Sequence, residues 1–297
     1  MKQEHKHLIE YRLLKGLFWL LRLLPERAGL VLGWLLAAFM FHVLRWRTAM
    51  VDQRLQAVFG QRFDTRERRR IAWLSLRNIC FNVVDAARFG KLTEQRMRQL
   101  PMNDTVTRVV EIHEKVGPYV IAVPHMGDWD LFGVAFRLGG LPIFSIAQRQ
   151  KNPLTNELLV QSRGTTGMDS VLNDEHLVRK VVQRLKKGQV LAILPDVRAR
   201  TKAFDIQFLN GRANLGAGVA LFAQMAHCPI YPIFLMRHGW TRHEGHILAP
   251  IHEDPSVDKK QDRERILQEV VSALDEQIQA HPEQYFWYNK RWVLDPI

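Results

Sequence analysis

From about residue 105 onward the chain alternates short apolar runs with amphipathic ones, and this rhythm restricts it to few architectures. PYVIAVPH (118–125), LPIFSIAQ (141–148), GQVLAILPD (188–196), CPIYPIFLM (228–236) and GHILAPI (245–251) are short and rich in β-branched or aromatic residues, as strands are. Helical spacing falls at 105–116 and between these runs, at 130–138, 153–163, 174–187 and 215–226; a last amphipathic helix covers 262–280. Such alternation predicts an α/β fold, an open, largely parallel mixed sheet flanked by helices. With 297 residues, 47% of them hydrophobic, the chain has enough material for one such domain plus a helical annex. No internal repeat and no Gly/Ser-rich linker divides it, so residues 48–297 read as a single domain.

The first 47 residues read differently. LIEYRLLKGLFWLLRLLP (8–25) is dense in leucine and interrupted by Lys15 and Arg22, a pattern suited to a helix at a membrane surface. AGLVLGWLLAAFMFHVL (28–44) is uncharged but slightly short of the roughly 20 residues a spanning helix needs. Arg45-Trp46-Arg47 closes it with a basic collar, and no small-residue cleavage site follows. The competing reading is a buried core helix. Two apolar helices in tandem, each flanked by arginine, favour an N-terminal apolar membrane-associated segment over residues 1–47, with the remainder on the cytoplasmic side. Beyond it, 48–60 predicts a helix capped by Gly60, and Asp64-Thr65 opens a long helix with apolar spacing from Ile71 to Val84.

The net charge is +12, which implies an anionic partner such as acidic lipid, an acidic protein or nucleic acid. No nucleic-acid-binding motif supports the last of these. The two cysteines, Cys80 and Cys228, stand in apolar surroundings with no CxxC pair, and read as buried reduced thiols.

Two strand candidates end in reactive residues: VIAVPH at His125 and VLAILPD at Asp196. In open α/β sheets, sites form outside the carboxyl ends of the strands. After His125, the stretch HMGDWD carries Gly127 for a sharp turn and Asp128 at a helix start. Asp130, in the first helical turn, is placed to reach back to the imidazole, fix its tautomer and stabilise its charged form, as a general base requires. A metal held by His125, Asp128 and Asp130 is the second reading, and no further histidine-rich strand end completes its shell. His238, His243 and His246 read as a hairpin cluster. The third reading is structural, with Asp128 a helix cap and His125 a satisfied strand-end residue. GxSxG and P-loop motifs are absent, and Gly216-Ala217-Gly218 is too weak for a dinucleotide site, so no cofactor is indicated.

His125-Met-Gly-Asp-Trp-Asp130 resembles the HX4D/E motif of the lysophospholipid acyltransferase superfamily. More narrowly, the apolar N-terminus, QRQKNPLTNELLVQSRGTTG, GQVLAILPD and HPEQYFWYNKRW fall in the order of the bacterial lipid A late acyltransferases and the related mannoside acyltransferase of mycobacteria. The resemblance covers essentially the whole chain. It implies a membrane-bound O-acyltransferase on the inner membrane, taking an acyl chain from an acyl carrier protein or acyl-CoA thioester to a hydroxyl of an anionic lipid such as a lipid A precursor. It further implies His125 as general base and Asp130 as its orienting carboxylate. Arg149 and Arg163 match basic positions of the family's middle motif, and Asp196 an acidic position near the histidine. This chain departs from the family in carrying Asp128 where asparagine is common, and Val197-Arg198-Ala199-Arg200 where many members continue with glutamine. Another glycolipid acceptor, or a non-catalytic lipid-binding role, are the alternatives.

Overall fold

The computed structural model describes residues 2–147, 152–164 and 167–295, except for the side chains of 2 and 159–163. Helix α1 (Lys2–Leu23) breaks at Pro25 and leads into α2 (Glu26–Ala38), which continues as a π-helical turn, Phe39–Val43. Next come α3 (Thr48–Phe59) and α4 (Thr65–Arg88). Asp64 and Glu67 form a reciprocal capping box at the start of α4, as the sequence predicts for Asp64, and Gly60 ends α3 with φ +55°.

The α/β body then runs α5 (Glu94–Met97), α6 (Asn103–Val116), β1 (Val120–Ala122), α7 (Trp129–Leu138), β2 (Ile143–Ala147) and α8 (Pro153–Gly164). It continues through β3 (Asp169–Leu172), α9 (Leu177–Lys186), β4 (Val190–Ile193), β5 (Phe204–Phe208), β6 (Gly211–Leu215) and α10 (Gly218–Ala226). The hairpin β7 (Ile230–His238) and β8 (Arg242–Ile247) precedes α11 (Lys259–Ala280). Six strands form one sheet in the order β3-β2-β4-β1-β7-β8, parallel except for β8. The fold class is therefore the predicted mixed, mostly parallel sheet flanked by helices.

Both faces of the sheet are covered, which explains why its strands read as continuous apolar runs. Val120 and Ala122 of β1 join a core containing α9, α10 and α11, whereas Tyr119 and Ile121 join one built with α6 and α7. The structure adds strands that the periodicity did not indicate. β3 is a four-residue edge strand, and β5–β6 is a separate hairpin turning at Leu209-Asn210, both at positive φ. Leu215, expected to open a helix, ends β6 instead, and α10 begins at Gly218.

The apolar lead is fastened to the body along one face. Phe18, Leu21 and Leu30 pack with Phe81, Val84 and Ala87 of α4, and Gly29 and Gly33 let α2 approach Val84 closely. Its other face carries exposed Trp19, Leu23, Leu35 and Val43. Glu26–Val43 is the one candidate span among the described residues, with a mean hydropathy of 1.3.

Candidate active site

Strands β1 and β4 are parallel neighbours, so their carboxyl ends lie side by side. Past β1 the ladder continues for one bond, Val123 N–H to the Ile193 carbonyl, and the chain then turns out through Pro124 to His125. Asp196 leaves β4 at the same level. One of its oxygens accepts from the His125 backbone N–H at 2.8 Å, and the other lies 2.9 Å from Nδ1 of the imidazole. A carboxylate there places the ring proton on Nδ1 and leaves the Nε2 lone pair available. Burial works against charging His125, but Asp196, by charge and hydrogen bond, and then Asp130 outweigh it; the imidazole pKa is raised above the ordinary histidine value.

This arrangement differs from the one the motif suggests. Asp130 was expected to hold the imidazole, yet Nδ1 is bonded to Asp196, 71 residues further on. The reason is positional. Asp196 reaches both the backbone and the ring of His125 from the adjacent strand, whereas Asp130 sits on the first turn of α7 and lines the neighbouring pocket. Asp130 still acts on His125 through its charge.

Asp128 is the N-cap of α7, accepting from Leu131 N–H at 3.0 Å. Its second oxygen receives Arg237 Nη2 at 3.0 Å, and the same nitrogen reaches Asp85 at 2.7 Å and Asn82 at 2.8 Å. Burial and the nearby Asp85 push the Asp128 carboxyl well above the usual carboxylate range, against the pull of Arg237. The structural role weighed for Asp128 is therefore its observed one. Asp85, Asp128 and His243 form a group of metal-ligand types, but the Arg237 guanidinium already supplies the positive charge between the two carboxylates. His238, His243 and His246 lie on the β7–β8 hairpin as expected.

Gly127 is required by space as well as conformation. Its φ is +62°, and a Cβ would stand 2.2 Å from the Leu235 carbonyl oxygen of β7. A C-terminal strap then clasps the loop from outside. Gly127 N–H donates to Gln284, Phe286 N–H donates to the His125 carbonyl at 2.9 Å, and Ser75 Oγ holds the Tyr285 carbonyl at 2.6 Å. Tyr285 is itself buried; burial, and then the nearby Asp196, raise its phenol pKa. Trp129 stands edge-on to the imidazole, with ring centroids 5.1 Å apart.

Beside the dyad opens a cavity of about 210 Å³, lined by Ile121, Trp129, Phe132, Phe136, Ile143 and Met168, with His125, Asp130 and Ser145 as its polar groups. An apolar cavity ending at a base is suited to an alkyl chain whose reacting carbon sits at the histidine. Arg149 lies outside the described residues, and Arg163 falls on α8 with its side chain outside them. Sequence reasoning missed Asn82, Asp85, Arg237, Gln284 and Tyr285. Asn82, Asp85 and Arg237 belong to no local motif; Gln284 and Tyr285 stand in the closing HPEQYFWYNKRW stretch, where sequence reasoning assigned them no role.

A histidine–carboxylate pair at the carboxyl end of a parallel sheet, opening on an apolar cavity, defines the class: an α/β fold with a candidate site at its strand ends. The chain belongs to the bacterial lipid A biosynthesis acyltransferase family, whose model matches residues 1–293. It is also similar to the phosphatidylinositol mannoside acyltransferase of Mycolicibacterium smegmatis, at 20% identity over 180 residues. That match takes in 59% of this chain and 57% of the relative's length.

Proposed function

We propose that the protein is a membrane-bound O-acyltransferase that moves a fatty acyl chain from an acyl carrier protein or acyl-CoA thioester to a hydroxyl of a lipid A precursor. The observation that carries this reading is the His125–Asp196 pair beside the apolar cavity, with Nδ1 engaged and Nε2 available. In this mechanism Nε2 takes the proton of the acceptor hydroxyl as its oxygen attacks the thioester carbonyl. The C–S bond then breaks and the leaving thiolate takes the proton from the imidazolium. Asp196 fixes the tautomer and stabilises the imidazolium. Asp130 adds negative potential at the same ring, and the start of α7 at Trp129 offers its positive dipole end to the developing oxyanion.

Membrane attachment is assigned to the exposed apolar face of α1 and α2, with the body on the cytoplasmic side of the inner membrane. The net charge of +12 suits an anionic lipid surface and an acidic carrier protein. The mycobacterial relative, a phosphatidylinositol mannoside acyltransferase, favours as a second reading a mannosylated phosphatidylinositol acceptor on the same site.

The test is mass spectrometry of lipids after incubating the full chain with acyl carrier protein thioester and an under-acylated lipid A precursor, with His125→Ala in parallel. A product heavier by one acyl chain, absent with the variant, is the expected result. No product from a folded protein that still binds lipid redirects the assignment to the glycolipid acceptor, and failure there as well leaves a lipid-binding protein.

A further inference from the structure

A second, smaller pocket of about 60 Å³ lies on the other side of the catalytic loop, among the end of α4, the start of α2 and the β7–β8 hairpin. Arg88, Lys91 and Arg96 line it together with two carboxylates, Glu26 and Asp85, and Asp85 is paired with Arg237. Arg96 is paired with Glu26. Arg88 is held by the carbonyls of Leu21 and Leu24, which fix its position without cancelling its charge. Among the described residues, no carboxylate pairs with Arg88 or Lys91.

His243 lines the same pocket and is 6% exposed. Its ring bonds the Thr241 backbone, and Nε2 is buried without any partner. A bare buried nitrogen of this kind calls for a donor from outside the protein. Burial, then the Arg237 charge, keep this ring well below the ordinary histidine pKa, so it is neutral and Nε2 is an acceptor.

The level of the pocket narrows the ligand. Glu26, which lines it, opens α2, while Leu23 just before is 61% exposed and Leu35 beyond is 51% exposed. The pocket therefore sits at the polar break between two apolar helices, where lipid headgroups lie when those helices meet a bilayer. The ligand must be anionic for the basic rim and must keep an O–H for His243. A phosphate monoester can meet both needs as its monoanion, which keeps one O–H and is within reach of neutral pH because the second ionisation falls around pH 6; the phosphate of a phosphodiester has no such proton.

We propose that this pocket seats the phosphate monoester headgroup of a membrane lipid, held by Arg88 and Lys91 at the rim and by His243 Nε2 at the floor. The site is separate from the dyad, and it is read out by binding, so its failure and that of the acyl-transfer reading are distinguishable.

The experiment is native mass spectrometry of the full chain in detergent with phosphatidic acid, phosphatidylglycerol or phosphatidylcholine at equal concentration. Phosphatidic acid is expected to be retained over both others. Lys91→Gln and His243→Phe should each lower its retention about tenfold, the scale of one charge-assisted bond. Lys186→Gln with Lys187→Gln, at the end of α9, removes charge away from the pocket and should leave retention unchanged. Equal retention of phosphatidic acid and phosphatidylglycerol overturns the proposal, as does an equal loss in the α9 variant. Lys91 is exposed, so Lys91→Gln decides the matter if His243→Phe does not fold. Displacement of the lipid by equimolar inorganic phosphate would make this a free-phosphate site and overturn the headgroup assignment.

Discussion

Nδ1 of His125 and Oδ1 of Asp196 stand 2.9 Å apart at the ends of two adjacent parallel strands, and the second Asp196 oxygen holds the His125 backbone N–H. One carboxylate thus fixes both the position and the tautomer of the imidazole. Asp196→Asn should therefore reduce acyl transfer by about 10²–10⁴-fold through loss of tautomer and charge support. Asp130→Asn, which removes a charge acting on the ring but leaves the Nδ1 bond to Asp196, should cost less. Initial rates on folded variants check this; an Asp130 effect larger than that of Asp196 would reverse the assignment.

The acid limb of the pH–rate profile should lie above the ordinary histidine value of about 6.5, because Asp196 and Asp130 raise the His125 pKa despite its burial. A base is lost on protonation, so kcat/KM falls as pH drops through that raised value. Replacing Asp130 with asparagine should move the limb to lower pH. A limb that stays in place removes Asp130 from the electrostatics of the site.

Acyl preference should respond to Gly133. A Cβ there would meet the Met168 methyl at 2.7 Å, at the end of a flexible side chain lining the cavity. Gly133→Ala should be accommodated by a shift of Met168, whereas Gly133→Leu should fill the cavity and move the product toward shorter chains. Product chain lengths from a mixed pool of acyl thioesters give the readout.

Arg237 is fully buried and bridges Asp85 and Asp128. Arg237→Met should destabilise the fold by about 3–5 kcal/mol, because the two carboxylates it bridges lose that cation in a low-dielectric setting. Adding Asp128→Asn should recover part of the loss. Denaturant unfolding of the single and double variants measures the coupling.

Membrane binding should depend on the exposed face of the lead rather than on its presence alone. Trp19→Ser, Leu23→Ser and Leu35→Ser together remove apolar area that the chain leaves exposed. The triple variant should float free of anionic vesicles with the fold intact. Deleting residues 1–46 is a poorer test, since it also uncovers Phe81 and Val84.

Much of this protein is legible in local sequence because the relevant forces are local. Strands covered on both faces must be apolar along their length, so β1, β2, β4 and β7 could be read directly. The Asp64–Glu67 capping box and the Asp128 cap lie within four residues of the groups they satisfy. The β5–β6 hairpin went unread although Asn210-Gly211 marks a turn, because the positive-φ pair is Leu209-Asn210, one residue earlier; Asp275 accepts the Leu209 N–H and Asn210 donates to the Val58 carbonyl, anchoring the turn from distant parts of the chain. His125 announced itself by its motif, and Asp196 by its place at a strand end. That the two form the pair, with Asp130 left to the cavity, follows from the placing of β4 beside β1. The same holds for Arg237 between Asp85 and Asp128. The sequence by itself determined the strand–helix rhythm, the apolar lead and the histidine loop, because hydrophobic period and capping act over a few residues. Only the tertiary structure decided which carboxylate serves which cation, because a charge buried by distant strands pairs with what the sheet order brings within 3 Å.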